Sequence, residues 1–142
     1  MTDALASMKP YEQAALAGGG DAALVAYLSA TAGMSRLVNG RNRIVGMEYG
    51  SLAEFVLREG QPYAPPAVAR PKGFRKGRNK LCFMNALRTA EYHSGWTYVE
   101  GYASGIIPVH HAWVVDEHGT VIETTWAKPG EAYLGVPFET DT

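Results

Sequence analysis

The chain of 142 residues is short of cysteine and of long apolar runs, and both shortages restrict what it can be. A single cysteine excludes an internal disulfide, so nothing points to an oxidising compartment. The most apolar region, residues 14–34, is interrupted by Gly-Gly-Gly-Asp at 18–21. Neither a signal peptide nor a transmembrane helix is therefore expected, and the predicted location is the cytoplasm.

The composition is that of a folded protein with one core. Apolar residues make up 46% of the chain and charged residues 19%, which disfavours disorder. A chain of this length suits a single domain over residues 1–142. Three parts are expected within it: a helical part at 1–60, a connector rich in Pro, Gly and basic residues at 61–79, and a helix with an antiparallel sheet at 80–142.

Local patterns place the elements of these parts. Residues 21–32 have helical spacing with Asp21 as a plausible N-cap, and at residues 51–58 Ser51 and Glu54 form a capping-box pattern. Alternation, turn residues and spacing predict the following further elements: a short strand at 43–47, a helix from 79 to 92, strands at 97–103, 110–116 and 120–126, and a last strand at 133–136.

The lone cysteine, Cys82, is the first candidate for chemistry. If Asn79 is the N-cap, Cys82 lies in the first helical turn, where unpaired N–H groups and the helix dipole favour thiolate. The same amides suit an oxyanion. The alternative is a small buried apolar residue.

A histidine and a carboxylate occupy the two arms of the predicted hairpin. His111 and Glu123 are about equally far from the turn at 117–119, so they could be neighbours on one face, with the carboxylate orienting the ring. Trp113 would share that face, whereas Trp126 would lie on the face opposite to Glu123. The alternative is a structural pair that pins the hairpin.

A run of cations precedes the cysteine and contains no acid. It consists of Arg70, Lys72, Arg75, Lys76, Arg78 and Lys80. These residues are candidates for binding an anionic partner, although a solvated loop is the simpler interpretation. Nucleic acid is not favoured, because the aromatic residues lie on other segments.

Metal and cofactor sites are not expected. A zinc site from His110 or His111 with Glu123 and Cys82 is conceivable, but no HExxH or CxxC spacing supports it.

Four short motifs in this order resemble the transglutaminase-like core of the papain-like cysteine-protease fold. They are Cys-Phe-Met-Asn-Ala from Cys82, Tyr-Val-Glu-Gly-Tyr-Ala from Tyr98, His-Ala-Trp from His111 and Glu-Thr-Thr-Trp from Glu123. The match covers about residues 79–126, a third of the chain. The combined pattern also resembles small uncharacterised proteins of bacteria and bacteriophages, for which the location would be the host cytoplasm.

The resemblance implies a fold and a set of roles. The fold would be α+β and papain-like, with N-terminal helices on a C-terminal antiparallel sheet. Cys82 would be the nucleophile, His111 the general base and acid, and Glu123 the residue that orients His111. Trp113 would support the site, and Asn79 and Asn85 are candidate oxyanion donors. The sequence departs from the family where Glu123 replaces the usual Asp, Thr124 the common Pro and Leu81 a Gln seen in many papain-like enzymes.

Two functions follow as hypotheses. The first is a cysteine-dependent acyl transfer on a protein or peptide substrate, as an amide hydrolase, peptidase, deamidase or transglutaminase-like transferase. The second is a non-catalytic binding module that docks an acidic protein or nucleic acid through residues 70–80.

Overall fold

A computed structural model describes residues 8–39 and 51–138 of the chain. In this part the elements, in chain order, are α1 (Pro10–Ala17), α2 (Gly19–Asn39), α3 (Leu52–Glu59), β1 (Gln61–Tyr63), α4 (Cys82–Tyr92), β2 (Thr97–Ser104), β3 (Pro108–Val115), β4 (Val121–Ile122) and β5 (Ala132–Phe138). The protein is therefore α+β, with helices and an antiparallel sheet.

The predicted helices form, with changed limits. The helix expected at residues 21–32 is longer and begins at Gly19. The cap expected at Ser51 is present, since its hydroxyl accepts a hydrogen bond from the Glu54 amide at 3.2 Å. The expected strand at 43–47 lies outside the described residues. None of the helices in the described ranges is long and apolar enough to cross a membrane.

The strands form one sheet in the order β1-β5-β2-β3-β4, and every neighbouring pair is antiparallel. Strand β1 was not predicted, because Pro62 lies within it and the connector was expected to be irregular from residue 61. It is an edge strand, and an edge tolerates a proline since no outer partner needs its missing N–H.

The helices cover one face of the sheet. Leu134 and Ala132 of β5 join the core of α2 and α3, and Ala112 and Val114 of β3 join that of α4. Alternation along the strands places all four side chains on the same face.

The other face holds a second core, made of Tyr63, Val99, Ala103, Trp113, Val115, Val121 and Tyr133. Partly buried Trp126, from irregular chain, packs against it. His111 alternates with Ala112, so its ring belongs to this second face and not to the face that α4 covers.

The hairpin that carries the candidate site residues is shorter than expected. Strand β4 pairs only with Val114 and Val115 of β3. The prediction of a strand through residue 126 is wrong beyond Ile122, because the Glu123 amide donates its hydrogen bond to the Ala69 carbonyl of the connector at 2.8 Å. The connector thus takes the place of a longer strand.

Candidate functional site

His111 and Glu123 form a buried pair. His111 is 1% exposed and Glu123 is 0% exposed. His111 Nε2 lies 2.8 Å from Glu123 Oε1. Because a carboxylate only accepts, Nε2 carries the proton, and Nδ1 is the ring nitrogen left for proton exchange.

The Glu123 carboxylate is held at both oxygens. The backbone amides of Thr125 and Trp126 each donate to Oε2 at 2.9 Å, and the Tyr133 hydroxyl donates to Oε1 at 3.0 Å. The Gly130 amide in turn donates to the Tyr133 oxygen at 2.6 Å. A buried carboxylate with this many donors has one preferred orientation, and it fixes the imidazole plane as well.

These contacts decide the charge of Glu123. Burial alone would raise its pKa, but the hydrogen bond and charge of His111, with the amides of Trp126 and Thr125, outweigh burial and lower the pKa below its usual range. Glu123 is therefore ionised at neutral pH.

Trp126 stacks on the imidazole. The ring centroids of His111 and Trp126 are 3.9 Å apart and the planes differ by 14°. The expectation that Trp126 lies on the face opposite to Glu123 is wrong, since it assumed a regular strand where the chain is irregular. An open groove of about 580 Å³ lies beyond Trp126 and is lined also by Ile106, Lys128 and Glu131.

Residues 123–127, here called the acid segment, are clamped by the connector. Arg70 donates from one guanidinium nitrogen to the carbonyls of Glu123 at 2.6 Å and Trp126 at 2.8 Å. The Gly77 amide donates to the Thr124 carbonyl at 2.7 Å. Arg70 was expected to bind an anionic partner, but its donors are directed to these backbone carbonyls of its own chain.

Cys82 is the first residue of α4 and is partly exposed. The N-cap is Leu81, not Asn79 as expected, and Leu81 supplies no side-chain cap. Lys80, just before it, has φ 69°, a left-handed conformation that turns the connector into the helix. The Asn79 side-chain oxygen instead accepts a hydrogen bond from Lys76 Nζ at 2.8 Å in an exposed position. Asn79 is thus not directed at the thiol.

The thiol is neutral at rest. Burial raises the pKa of Cys82 above its ordinary value, and the charge of Glu123 adds a smaller increase. Backbone hydrogen bonds from Ala112, Phe83 and Cys82 itself act in the opposite direction but do not outweigh burial. The expected thiolate is therefore not the resting form, because desolvation is stronger than the field of the helix start.

The sulfur reaches the sheet beside His111. Of the three backbone amides that lower the pKa of Cys82, the Ala112 amide, one residue along β3 from His111, has the largest effect. Beyond its two pairs with β4, β3 has no strand neighbour on that side in the described part of the chain. The hydrogen bonds of the described residues include none between the thiol and the His111 ring, and α4, which carries the thiol, packs on the face of β3 opposite to His111.

Asn85 has another role than the expected one, and Trp113 is a packing residue. Asn85 Nδ2 donates to Thr125 Oγ1 and to the Arg78 carbonyl, each at 2.9 Å, so it is not free to receive an oxyanion. Trp113 is fully buried in the second core, between the rings of Tyr63 and Tyr133. It supports the site through packing only.

His110 lies apart from the pair. Its ring contacts Phe83 at 4.7 Å and Tyr102 at 5.5 Å between centroids, and burial lowers its pKa. Within residues 8–39 and 51–138, no group of three or more His, Cys, Asp or Glu side chains is arranged to hold a metal ion.

The other five cations of the basic run are exposed: Lys72, Arg75, Lys76, Arg78 and Lys80. Among the described residues, none of them forms an ion pair with a carboxylate. They form a free positive surface beside the start of α4.

Comparison of the chain with family models, with curated proteins and with solved structures finds no match. The functional argument therefore depends on the geometry of these residues.

The sequence patterns did not identify several residues that contact the site. Tyr133 lies in a predicted strand, and nothing in its neighbourhood signals that its hydroxyl reaches Glu123. Arg70 was grouped with cations that it does not resemble in the fold. The irregular acid segment has no clear local signal either, because Thr-Thr after Glu123 is typical of a strand.

Proposed function

We propose that this protein is a cysteine-dependent acyl-transfer enzyme in which Cys82 attacks an amide or ester carbonyl, His111 moves the proton and Glu123 orients His111. The observation that carries the proposal is the buried Glu123 carboxylate, held at both oxygens and 2.8 Å from His111 Nε2. A structural polar pair needs only to be satisfied, whereas a base needs one ring nitrogen fixed and the other left over.

The raised pKa of Cys82 specifies the kind of mechanism. Since the resting thiol is neutral, His111 Nδ1 would remove its proton as sulfur attacks, as a general base. The imidazolium then protonates the departing amine or alcohol, and a thioester is left on Cys82. Water gives hydrolysis of the thioester, and an amine gives transfer.

The Ala112 amide supports the placement of the nucleophile. Of the backbone amides that lower the pKa of Cys82, that of Ala112 has the largest effect, and Ala112 directly follows His111 on β3, so the thiol lies close to the strand that carries the base. The proposal requires the His111 ring and the sulfur to meet at the open edge of β3 during the reaction. Catalytic contacts are often longer in a free enzyme than in the reacting complex.

Acylation by p-nitrophenyl acetate tests the proposal. We expect one acetyl group on Cys82, detected by mass spectrometry, and none in Cys82→Ala. His111→Asn should slow acylation about 100-fold or more, the usual contribution of a positioned base. A matched control is His118→Asn, because His118 is exposed in the β3–β4 turn. Equal rates in wild type and His111→Asn would refute the proposal.

A second candidate function is the binding module, favoured by the five exposed cations, none of which forms an ion pair with a carboxylate of the described residues. Its test is binding to a poly-glutamate peptide, which should weaken steeply with salt and be indifferent to Cys82→Ala. Replacing the five cations with Gln should abolish binding. Binding that does not change with salt would contradict this candidate.

A further inference from the structure

The three groups of the proposed site belong to three different elements. Cys82 is on α4, His111 is on β3 and Glu123 is on the acid segment. The buried contact between α4 and β3 is made by small and aliphatic side chains, Ala86 and Ala90 against Ala112 and Val114, and the more exposed rings of Phe83 and His110 also touch. Apolar contact is non-directional, so this packing by itself holds α4 against the sheet without fixing the position of the helix along it.

A directional contact joins α4 to the acid segment. Asn85, three residues after Cys82, donates from Nδ2 to Thr125 Oγ1 at 2.9 Å. Among the described residues, it is the one side-chain hydrogen bond that joins α4 to the acid segment. The Thr125 backbone amide donates to Glu123 Oε2, so Thr125 links Asn85 to the carboxylate that orients His111.

The connector closes over the same amide. Asn85 Nδ2 also donates to the Arg78 carbonyl at 2.9 Å. A Cβ at position 77 would overlap the Asn85 side-chain amide, so the glycine lets the backbone approach it directly. The Gly77 amide then donates to the Thr124 carbonyl. The planar amide of Asn85 is therefore enclosed by the connector and the acid segment.

We infer that Asn85 is a positioning residue: its contact with Thr125 sets the start of α4, and with it the Cys82 sulfur, against the His111–Glu123 pair. The inference depends on the proposed acyl transfer and adds a residue to it. Asn85 and Thr125 act as a unit, here called the brace.

The brace requires a side-chain hydrogen-bond acceptor at residue 125. Thr125 is 2% exposed, so Thr125→Val keeps the volume and removes the acceptor, while Thr125→Ser keeps the hydroxyl. Asn85→Asp keeps the shape of the other partner and removes both donors. Thr89→Val is the matched control, because Thr89 Oγ1 donates only to the Asn85 carbonyl within α4 at 2.7 Å.

The rate and pH profile of Cys82 acylation by p-nitrophenyl acetate are the measurements. We expect Thr125→Val and Asn85→Asp to slow acylation about 10- to 100-fold, because small misplacements of reacting groups cost this much. Their profiles should move to alkaline pH, toward titration of the thiol alone. Thr125→Ser and Thr89→Val should keep the wild-type profile. A purely structural role would change thermal unfolding without moving the pH profile.

The outcomes separate the two proposals. If His111→Asn reacts as fast as wild type, acyl transfer through His111 is refuted and the brace has nothing to position. If His111→Asn is slow but folded Thr125→Val and Asn85→Asp both keep the wild-type rate and profile, the brace is refuted alone. Should Thr125→Val unfold, Asn85→Asp decides, and exchange of the Asn85 side-chain amide protons in NMR spectra reports the contact directly in wild type and Thr125→Ser.

Discussion

The acid segment and the basic run are adjacent in the fold and are organised in opposite ways. In the acid segment one carboxylate is fully buried and receives hydrogen bonds at both oxygens. In the basic run, five cations are exposed and form no ion pair with a described carboxylate. A buried charge must be satisfied where it lies, whereas an exposed charge is satisfied by water and stays available to a partner.

Arg70 shows that contacts in the fold, and not the residue type, decide to which of the two regions a cation belongs. It begins the basic run in sequence but belongs to the acid segment in the fold, because its guanidinium donates to that segment's carbonyls. The boundary between the two regions therefore lies between Arg70 and Lys72. Two regions that look like a single charge pattern in the sequence have separate physical roles.

Removing the charge at the centre of the acid segment should have the largest effect on stability. Glu123→Gln replaces the carboxylate that accepts from the Thr125 and Trp126 backbone amides with a neutral side-chain amide. His111 then loses its anionic partner. We expect a loss of about 3–5 kcal/mol in the free energy of unfolding, because several charge-assisted hydrogen bonds of about 1.5–3 kcal/mol each are weakened together. Urea unfolding monitored by the tryptophan fluorescence measures it. A loss close to that of an exposed Glu131→Gln would contradict the assigned role.

The boundary itself can be tested with two arginines. Arg70→Ala leaves the carbonyls of Glu123 and Trp126 without their donor, so we expect a loss of about 1.5–3 kcal/mol, typical of hydrogen bonds to charged groups. Arg75→Ala should leave the unfolding midpoint nearly unchanged, because Arg75 is exposed. Similar losses in the two variants would remove the distinction between the regions.

The smallest expected effect is a dependence of stability on acid. The pKa of Glu123 is lower in the folded chain than in the unfolded chain, where it is about 4.3. Its ionised form thus stabilises the fold above that pH, and the contribution is lost as pH falls through the folded pKa. The stability gap between wild type and Glu123→Gln should narrow below about pH 4. Unfolding midpoints measured between about pH 3 and 7 check this, and a constant gap would disagree with the assigned charge state.

The sequence predicts the regular elements well because local signals determine them. Ser51 caps its helix as expected, and alternation locates β2 and β3 to within a few residues. The pairing of His111 with Glu123 was also predicted, although by a different route: the strand that was to carry Glu123 ends at Ile122. The hydrogen bond forms because an irregular segment returns the carboxylate to the same face.

The parts that the sequence does not predict depend on distant contacts. The resting charge of Cys82 depends on how far α4 buries it, which no local pattern encodes. The roles of Arg70 and Asn85 come from partners 53 to 56 and 40 residues away in the chain. Residues that hold a site together are thus harder to recognise than those with reactive groups.

The two outermost strands of the sheet have a consequence for how copies of this protein behave together. Strand β1 is three residues long and contains a proline, and β4 is two residues long. Short edges with few unpaired N–H and C=O groups are poor templates for another chain to extend. These two strands are therefore poor starting points for growth of the sheet from molecule to molecule, and in the described part of the chain the stretch of β3 that β4 leaves unpaired is the longer open edge.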